Sequence, residues 1–75
     1  MRLNSVCVKG EANANKVAAF LVEQSQWFVF DPLPDGYYDF RVKTEYCQHL
    51  VAFMGNSGIT TEWVYDISGM EQLLS

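Results

Sequence analysis

Seventy-five residues carrying a formal net charge of −4 set narrow limits. A chain this short forms one domain at most, and it has little interior, so its core must be dense or completed by a partner. Hydrophobic residues make up 49% of it and aromatic rings 15%, which excludes a disordered chain, and no apolar run reaches the roughly 18 residues that span a bilayer.

The first segment, MRLNSVCVKG, lacks the apolar stretch and small-residue cleavage site of a secretory signal. A soluble, cytoplasmic setting is therefore expected, with no membrane contact. Within this segment Val6 and Val8 alternate with Ser5, Cys7 and Lys9, the pattern of a half-buried strand. Cys7 and Cys47 fit no C-x-x-C spacing, and with the single His49 they supply too few soft ligands for a metal. Two free thiols are expected, and no cofactor.

From about Glu11 to Gln24 the period turns helical, with Ala14, Val17, Ala18 and Leu21 on one face. Asn13 and Asn15 suit a cap better than a helix interior. WFVF follows as a compact strand, and DPLPDG as a strong turn signal. YYDFRVK then alternates again, with Tyr38, Phe40 and Val42 on one side and Tyr37, Asp39, Arg41 and Lys43 on the other. A second helix is predicted from Glu45 to Met54, capped by Thr44, with Tyr46, Leu50, Phe53 and Met54 inward and GNSG as its stop. TTEWVYDI is the last strand, with Trp63, Tyr65 and Ile67 on the side opposite Glu62, Val64 and Asp66. Met70, Leu73 and Leu74, at one-turn spacing, are expected to close the open end of the core. Val6, Val8, Val17, Leu21, Phe40, Val42, Leu50, Phe53 and Trp63 are expected in that core.

The second half echoes the first. Val8-Lys9-Gly10-Glu11 answers to Val42-Lys43-Thr44-Glu45, Lys16 to Leu21 answers to His49 to Met54, and Phe28 to Asp31 answers to Trp63 to Asp66. The echo reads as a duplicated β-α-β unit. With right-handed crossovers the order β-α-β-β-α-β gives a ferredoxin-like α+β sandwich over residues 1–75. Its antiparallel sheet has four strands, with the second and fourth at the edges and both helices on one face. Trp27, Val29 and Val64 are then expected on the open face, and Cys7 there too, away from Cys47.

The chemistry is sparse. His49 falls on the outward side of its helix with no nucleophile or orienting carboxylate nominated beside it, so no catalytic residue is assigned and no enzyme is expected. The loop KGEANAN lacks the arginine of acylphosphatases and the C-x-x-C of heavy-metal-associated domains. Tyr37 and Arg41 give a faint likeness to RNA-recognition domains, but Ser5, Cys7 and Lys9 put no aromatic on the first strand. The acidic balance argues further against direct nucleic-acid contact. Gly10 after the first strand, with the same element order, is similar to small amino-acid-sensing domains of the ACT type. That similarity implies the alternative function, a dimeric small-molecule-sensing regulatory domain.

Charge is unevenly spread. Arg2, Lys9, Lys16, Arg41 and Lys43 all precede residue 44, and only acids follow: Glu45, Glu62, Asp66 and Glu71. With the last strand at an edge, these carboxylates either discourage edge-to-edge aggregation or form a docking rim for a basic partner. The leading expectation is a non-enzymatic protein-interaction module that contacts a basic protein through Glu45, Glu62, Val64, Asp66 and Glu71. Its size and charge are like those of phage-type inhibitors of nucleic-acid-processing enzymes, anti-CRISPR proteins among them. Self-association through the open face or the last strand is the accompanying expectation.

Overall fold

Alternation and helical period sort the chain into elements that all share one hydrophobic layer. The computed structural model describes residues 2–67. They form β1 (Leu3–Lys9), α1 (Glu11–Glu23), β2 (Phe28–Pro32), a short 3-10 turn (Pro34–Gly36), β3 (Tyr37–Lys43), α2 (Thr44–Asn56) and β4 (Trp63–Asp66). The fold is α+β, with one four-stranded sheet in the order β2-β3-β1-β4. Every neighbouring pair of strands is antiparallel.

Val6 and Val8 of β1 and Phe40 and Val42 of β3 meet Ala14, Val17 and Leu21 of α1 and Cys47, Leu50 and Met54 of α2 in one cluster. The two helices therefore cover the two central strands. A row across the sheet measures that cover: Phe30 is 42% exposed, Phe40 and Val6 are fully buried, and Val64 is 40% exposed. Each fully buried aliphatic or phenyl side chain contributes on the order of 1.5–3 kcal/mol, so the central pair Val6 and Phe40 anchors the domain.

The two halves are built alike. Each helix has 13 residues and each central strand 7. Phe20 and Phe53, matched in the sequence echo, stack on each other with ring centroids 4.0 Å apart. Both helices also end in the same way. Gln26 N–H donates to Leu21 O at 2.9 Å and Ile59 N–H to Met54 O at 2.8 Å, the six-to-one bond that closes a helix through a left-handed residue. In α2 that residue is Gly58, at φ 72°, and in α1 it is Ser25, at φ 56°. Buried Ile59 then packs into the core beyond the bond it donates. Between the halves, Asp35 and Gly36 adopt φ 63° and 81°, the turn that an Asp-Gly pair favours between twisted antiparallel strands.

Several details differ from the sequence reading. Trp63 does not join the helix-covered core. It pairs with Cys7, as Val64 pairs with Val6, so Trp63 and Tyr65 lie on the open face while Val64 and Asp66 take the helix side. Matching residue types set Phe28 against Trp63, but the sheet makes Phe30 and Val64 equivalent, each beside one member of the Val6–Phe40 pair. A one-residue slip of this kind turns every side chain of a strand over. Because β4 carries apolar residues on both sides, hydrophobic pattern alone does not choose between the two registers.

Phe53 and Tyr46 are half-buried at the margin of the core, and Cys47 takes the inward position instead. Asn13 sits inside the first turn of α1, where its side-chain amide donates to Lys9 O at 3.0 Å rather than capping the helix. Thr44 opens α2 and its hydroxyl bonds Asn4 Oδ1. Cys7 and Cys47 are free and lie on opposite sides of the sheet. Among the described residues no helix is long and apolar enough to cross a membrane. The expected closing role of Met70, Leu73 and Leu74 lies outside the described residues.

Candidate functional site

The edge strand β4 brings together three of the five residues expected to bind a partner. Glu62 precedes the strand, exposed, with its N–H donating to Cys7 O at 2.8 Å. Val64 follows on the helix side, and Asp66 lies two residues further on the same side, opposite Asn4. Glu62 and Asp66 are four residues apart, about 13 Å at the rise of an extended strand, and the Glu62 charge reaches the Cys7 thiol on the open face.

Their electrostatic surroundings differ. The Asp66 carboxylate pairs with the Arg2 guanidinium at 3.0 Å, with both side chains largely exposed. Such a pair contributes only about 0–1 kcal/mol. Glu62 forms no ion pair among the described residues. Glu45 stands apart in the first turn of α2, where it borders a shallow depression with Arg2, Lys43 and Thr44. Arg2 therefore interrupts the expected acidic rim, pairing with Asp66 and standing between it and Glu45. Glu71 lies outside the described residues.

On the other side of β4 the register creates a surface that the sequence reading did not anticipate. Tyr37 of β3 and Trp63 of β4 lean toward each other over β1, with ring centroids 5.5 Å apart. Tyr65 continues the line, 6.3 Å from Trp63. Lys9 places its ammonium 5.2 Å from the centre of the Tyr37 ring. Cys7, between these rings, has no solvent exposure. Burial pushes its thiol above the ordinary value, a hydrogen bond from the Tyr38 backbone opposes this, and the charges of Asp39 and Glu62 add to the rise. Burial raises the Cys47 thiol likewise. Both therefore stay protonated and unreactive at neutral pH.

The rest of the open face is a charge network. Arg41 approaches Asp31 at 3.4 Å and Asp39 at 4.0 Å, and Ser5 donates its hydroxyl to Asp39. His49 is exposed on α2 and stacks on Tyr46, with centroids 5.3 Å apart. Among the described residues no three His, Cys, Asp or Glu side chains are grouped to hold a metal ion.

The signal that could have revealed the ring line is positional. The helices match at one spacing and the central strands at a spacing one residue longer, so the last strand follows the strand spacing rather than the residue types. Comparison with protein-family models, with curated proteins and with solved structures returns no match, so the functional reading rests on these residues alone.

Proposed function

We propose that this chain is a non-enzymatic protein-interaction module whose contact surface is the β4 edge and whose partner is a protein with a basic surface. One observation carries the reading. Val64 and Tyr65, neighbours on an edge strand, are 40% and 58% exposed, and a carboxylate stands at each end of them. An apolar centre with a charged rim is the usual anatomy of a protein contact, and the carboxylates favour a basic partner.

Charge also favours such a partner over a second copy of the chain. Antiparallel pairing of two β4 strands about Val64 sets the carboxylates of one copy against those of the other, and like charges directly opposite destabilise a pair. The narrower expectation, an inhibitor of a nucleic-acid-processing complex, is supported by size and net charge. We also take the architecture to be the ferredoxin-like sandwich. In support, β1 and β3 are central, β2 and β4 are the edges, and all neighbours are antiparallel.

The test is affinity capture with the parent chain beside the Glu62→Lys/Asp66→Lys variant, followed by binding measurements on the captured protein. The expected result is a folded variant with slower association, and parent binding that weakens as salt rises, since exposed charges are screened over about 10 Å at 0.1 M. Equal affinity of parent and variant defeats the reading and leaves the carboxylates as edge protection. A thermal shift with an amino acid and no protein partner favours the regulatory-domain alternative.

A further inference from the structure

We propose that the chain pairs with a second copy of itself through the β2 edge, joining two four-stranded sheets into one that leaves a β4 edge at each end. The dimer stands on β2 alone. Its consequence, a contact edge at both ends of the assembly, rests on the β4 reading.

The β2 backbone presents its free groups in a self-complementary pattern. Leu33 N–H donates to Tyr37 O at 2.8 Å, and β2 runs antiparallel to β3 from Pro32 opposite Tyr38 to Phe28 opposite Val42. Hydrogen-bonded and non-bonded pairs alternate along such a ladder. Val29 and Asp31 therefore bond inward to β3, while Phe28, Phe30 and Pro32 turn their backbone groups outward. No further strand lies there among the described residues. Pro32 fits this assignment, because a proline in a sheet belongs where no ladder N–H is needed. A second β2 running antiparallel and centred on Val29 sets Phe28 of each copy opposite Phe30 of the other. Every outward N–H and carbonyl of those two residues then finds a partner.

The sequence of the strand holds it to that register. A centre at Phe30 puts Phe28 opposite Pro32, which has no N–H for the Phe28 carbonyl. A centre at Asp31 sets two carboxylates directly opposite, which destabilises a pair. A shift the other way carries Phe30 past the start of the second strand, since β2 begins at Phe28.

Side chains favour the same joint. From Trp27 to Leu33 the chain reads WFVFDPL, with Asp31 as its single charge. Trp27 is 43% exposed, and Phe30, also largely exposed, already rests against Tyr38 and Phe40 with centroids 5.5 and 5.2 Å away. In the centred pair each Phe30 gains Phe28 of the second copy as a cross-strand neighbour, a pairing of rings that stabilises sheets. Asp31 faces Trp27 of the second copy instead of another acid, and it keeps Arg41 at 3.4 Å. Two β4 strands, by contrast, bring Glu62 and Asp66 of one copy against those of the other. An acidic chain can approach its own copy along β2, and β4 is left for a partner of opposite charge.

The experiment is sedimentation velocity on the full chain from low to high micromolar concentration, with circular dichroism verifying the fold of each variant. The expected result is a monomer–dimer equilibrium that Phe30→Lys shifts to monomer. Gln48→Lys, the same added charge on the exposed side of α2, is expected to leave it intact. A second test spares the packed ring. Val29→Cys is expected to form an intermolecular disulfide with oxidised glutathione, because centred pairing brings the two positions about 4.5 Å apart, and Gln48→Cys is expected to form none. A strict monomer at high micromolar concentration overturns the proposal. So does a dimer that folded Phe30→Lys leaves intact, or equal cross-linking of the two cysteine variants. Loss of the dimer leaves the β4 reading standing, since a monomer still presents that edge. Failure of Glu62→Lys/Asp66→Lys to weaken partner binding leaves the dimer standing.

Discussion

The two β-α-β halves match in helix length, strand length and helix ending, yet their last strands do different work. In β2 the rings Phe28 and Phe30 point to the helix side, where Phe28 and Phe40 lie 6.0 Å apart and Phe30 stacks 5.5 Å from Tyr38. In β4 the rings Trp63 and Tyr65 point to the open side, and Val64 takes the place equivalent to Phe30. The first half turns the rings of its last strand toward the helix side, with Phe28 packed against the core and Phe30 left partly exposed. The second half turns its two rings to the open side, where Tyr65 is exposed and Trp63 is half-buried. Two halves with the same element order can thus differ through register alone, with almost no change in the kind of residue used.

The strongest way to test this contrast is to truncate one ring from each side. Phe40→Ala removes a fully buried ring on the central row and is expected to cost roughly 3–5 kcal/mol, enough to unfold a marginal domain. Tyr65→Ala removes a mostly exposed ring and is expected to cost less than about 1 kcal/mol. Urea midpoints measure both. Comparable losses mean that Tyr65 belongs to the core and that the assignment of faces is wrong.

A smaller effect separates the two helix endings. Gly58 and Ser25 occupy equivalent left-handed positions, but only glycine adopts that conformation without strain. Gly58→Ala is expected to destabilise by about 1 kcal/mol, and Ser25→Gly to stabilise by about 0.5–1 kcal/mol, less the added freedom of the unfolded chain. Thermal unfolding gives both signs. If the two substitutions shift stability in the same direction, the endings are not equivalent.

The smallest expected effect lies at alkaline pH. Burial raises the Cys7 and Cys47 thiols, one on each side of the sheet, so the folded chain keeps protons that the unfolded chain gives up. Their contribution is complete below the ordinary thiol range and is lost as pH rises through the folded values. A Cys7→Ala/Cys47→Ala variant is expected to show a flatter alkaline decline in urea midpoint than the parent. An unchanged decline assigns it to other groups.

Period and punctuation in the sequence were enough to locate every element among the described residues. Alternation in LNSVCVKG and YYDFRVK put Val6, Val8, Phe40 and Val42 on the helix side, and they are fully buried there. The Asp-Gly pair marked the reversal, and GNSG marked the end of α2. Central strands are legible in this way because one side of each is plainly apolar. Helix ends were legible only to within a turn: Thr44 and Asn13 are ordinary cap residues by type, yet their side chains bond Asn4 and the Lys9 carbonyl instead.

The acidic stretch of the candidate site was also visible in the sequence, because charge composition needs no fold. Its division was not. Arg2 lies far from Asp66 along the chain and pairs with it only through the β1–β4 register. The ring line was hidden for the same reason. Trp63-Val64-Tyr65 is apolar on both sides, so local pattern permits either orientation, and the choice falls to the connection from α2 and to pairing with Cys7 and Val6. Sequence by itself determined the elements, their order and the central core, because those follow from local period and burial. Only the tertiary structure decided which side of β4 faces the helices, because an edge strand takes its orientation from its neighbour's hydrogen bonds.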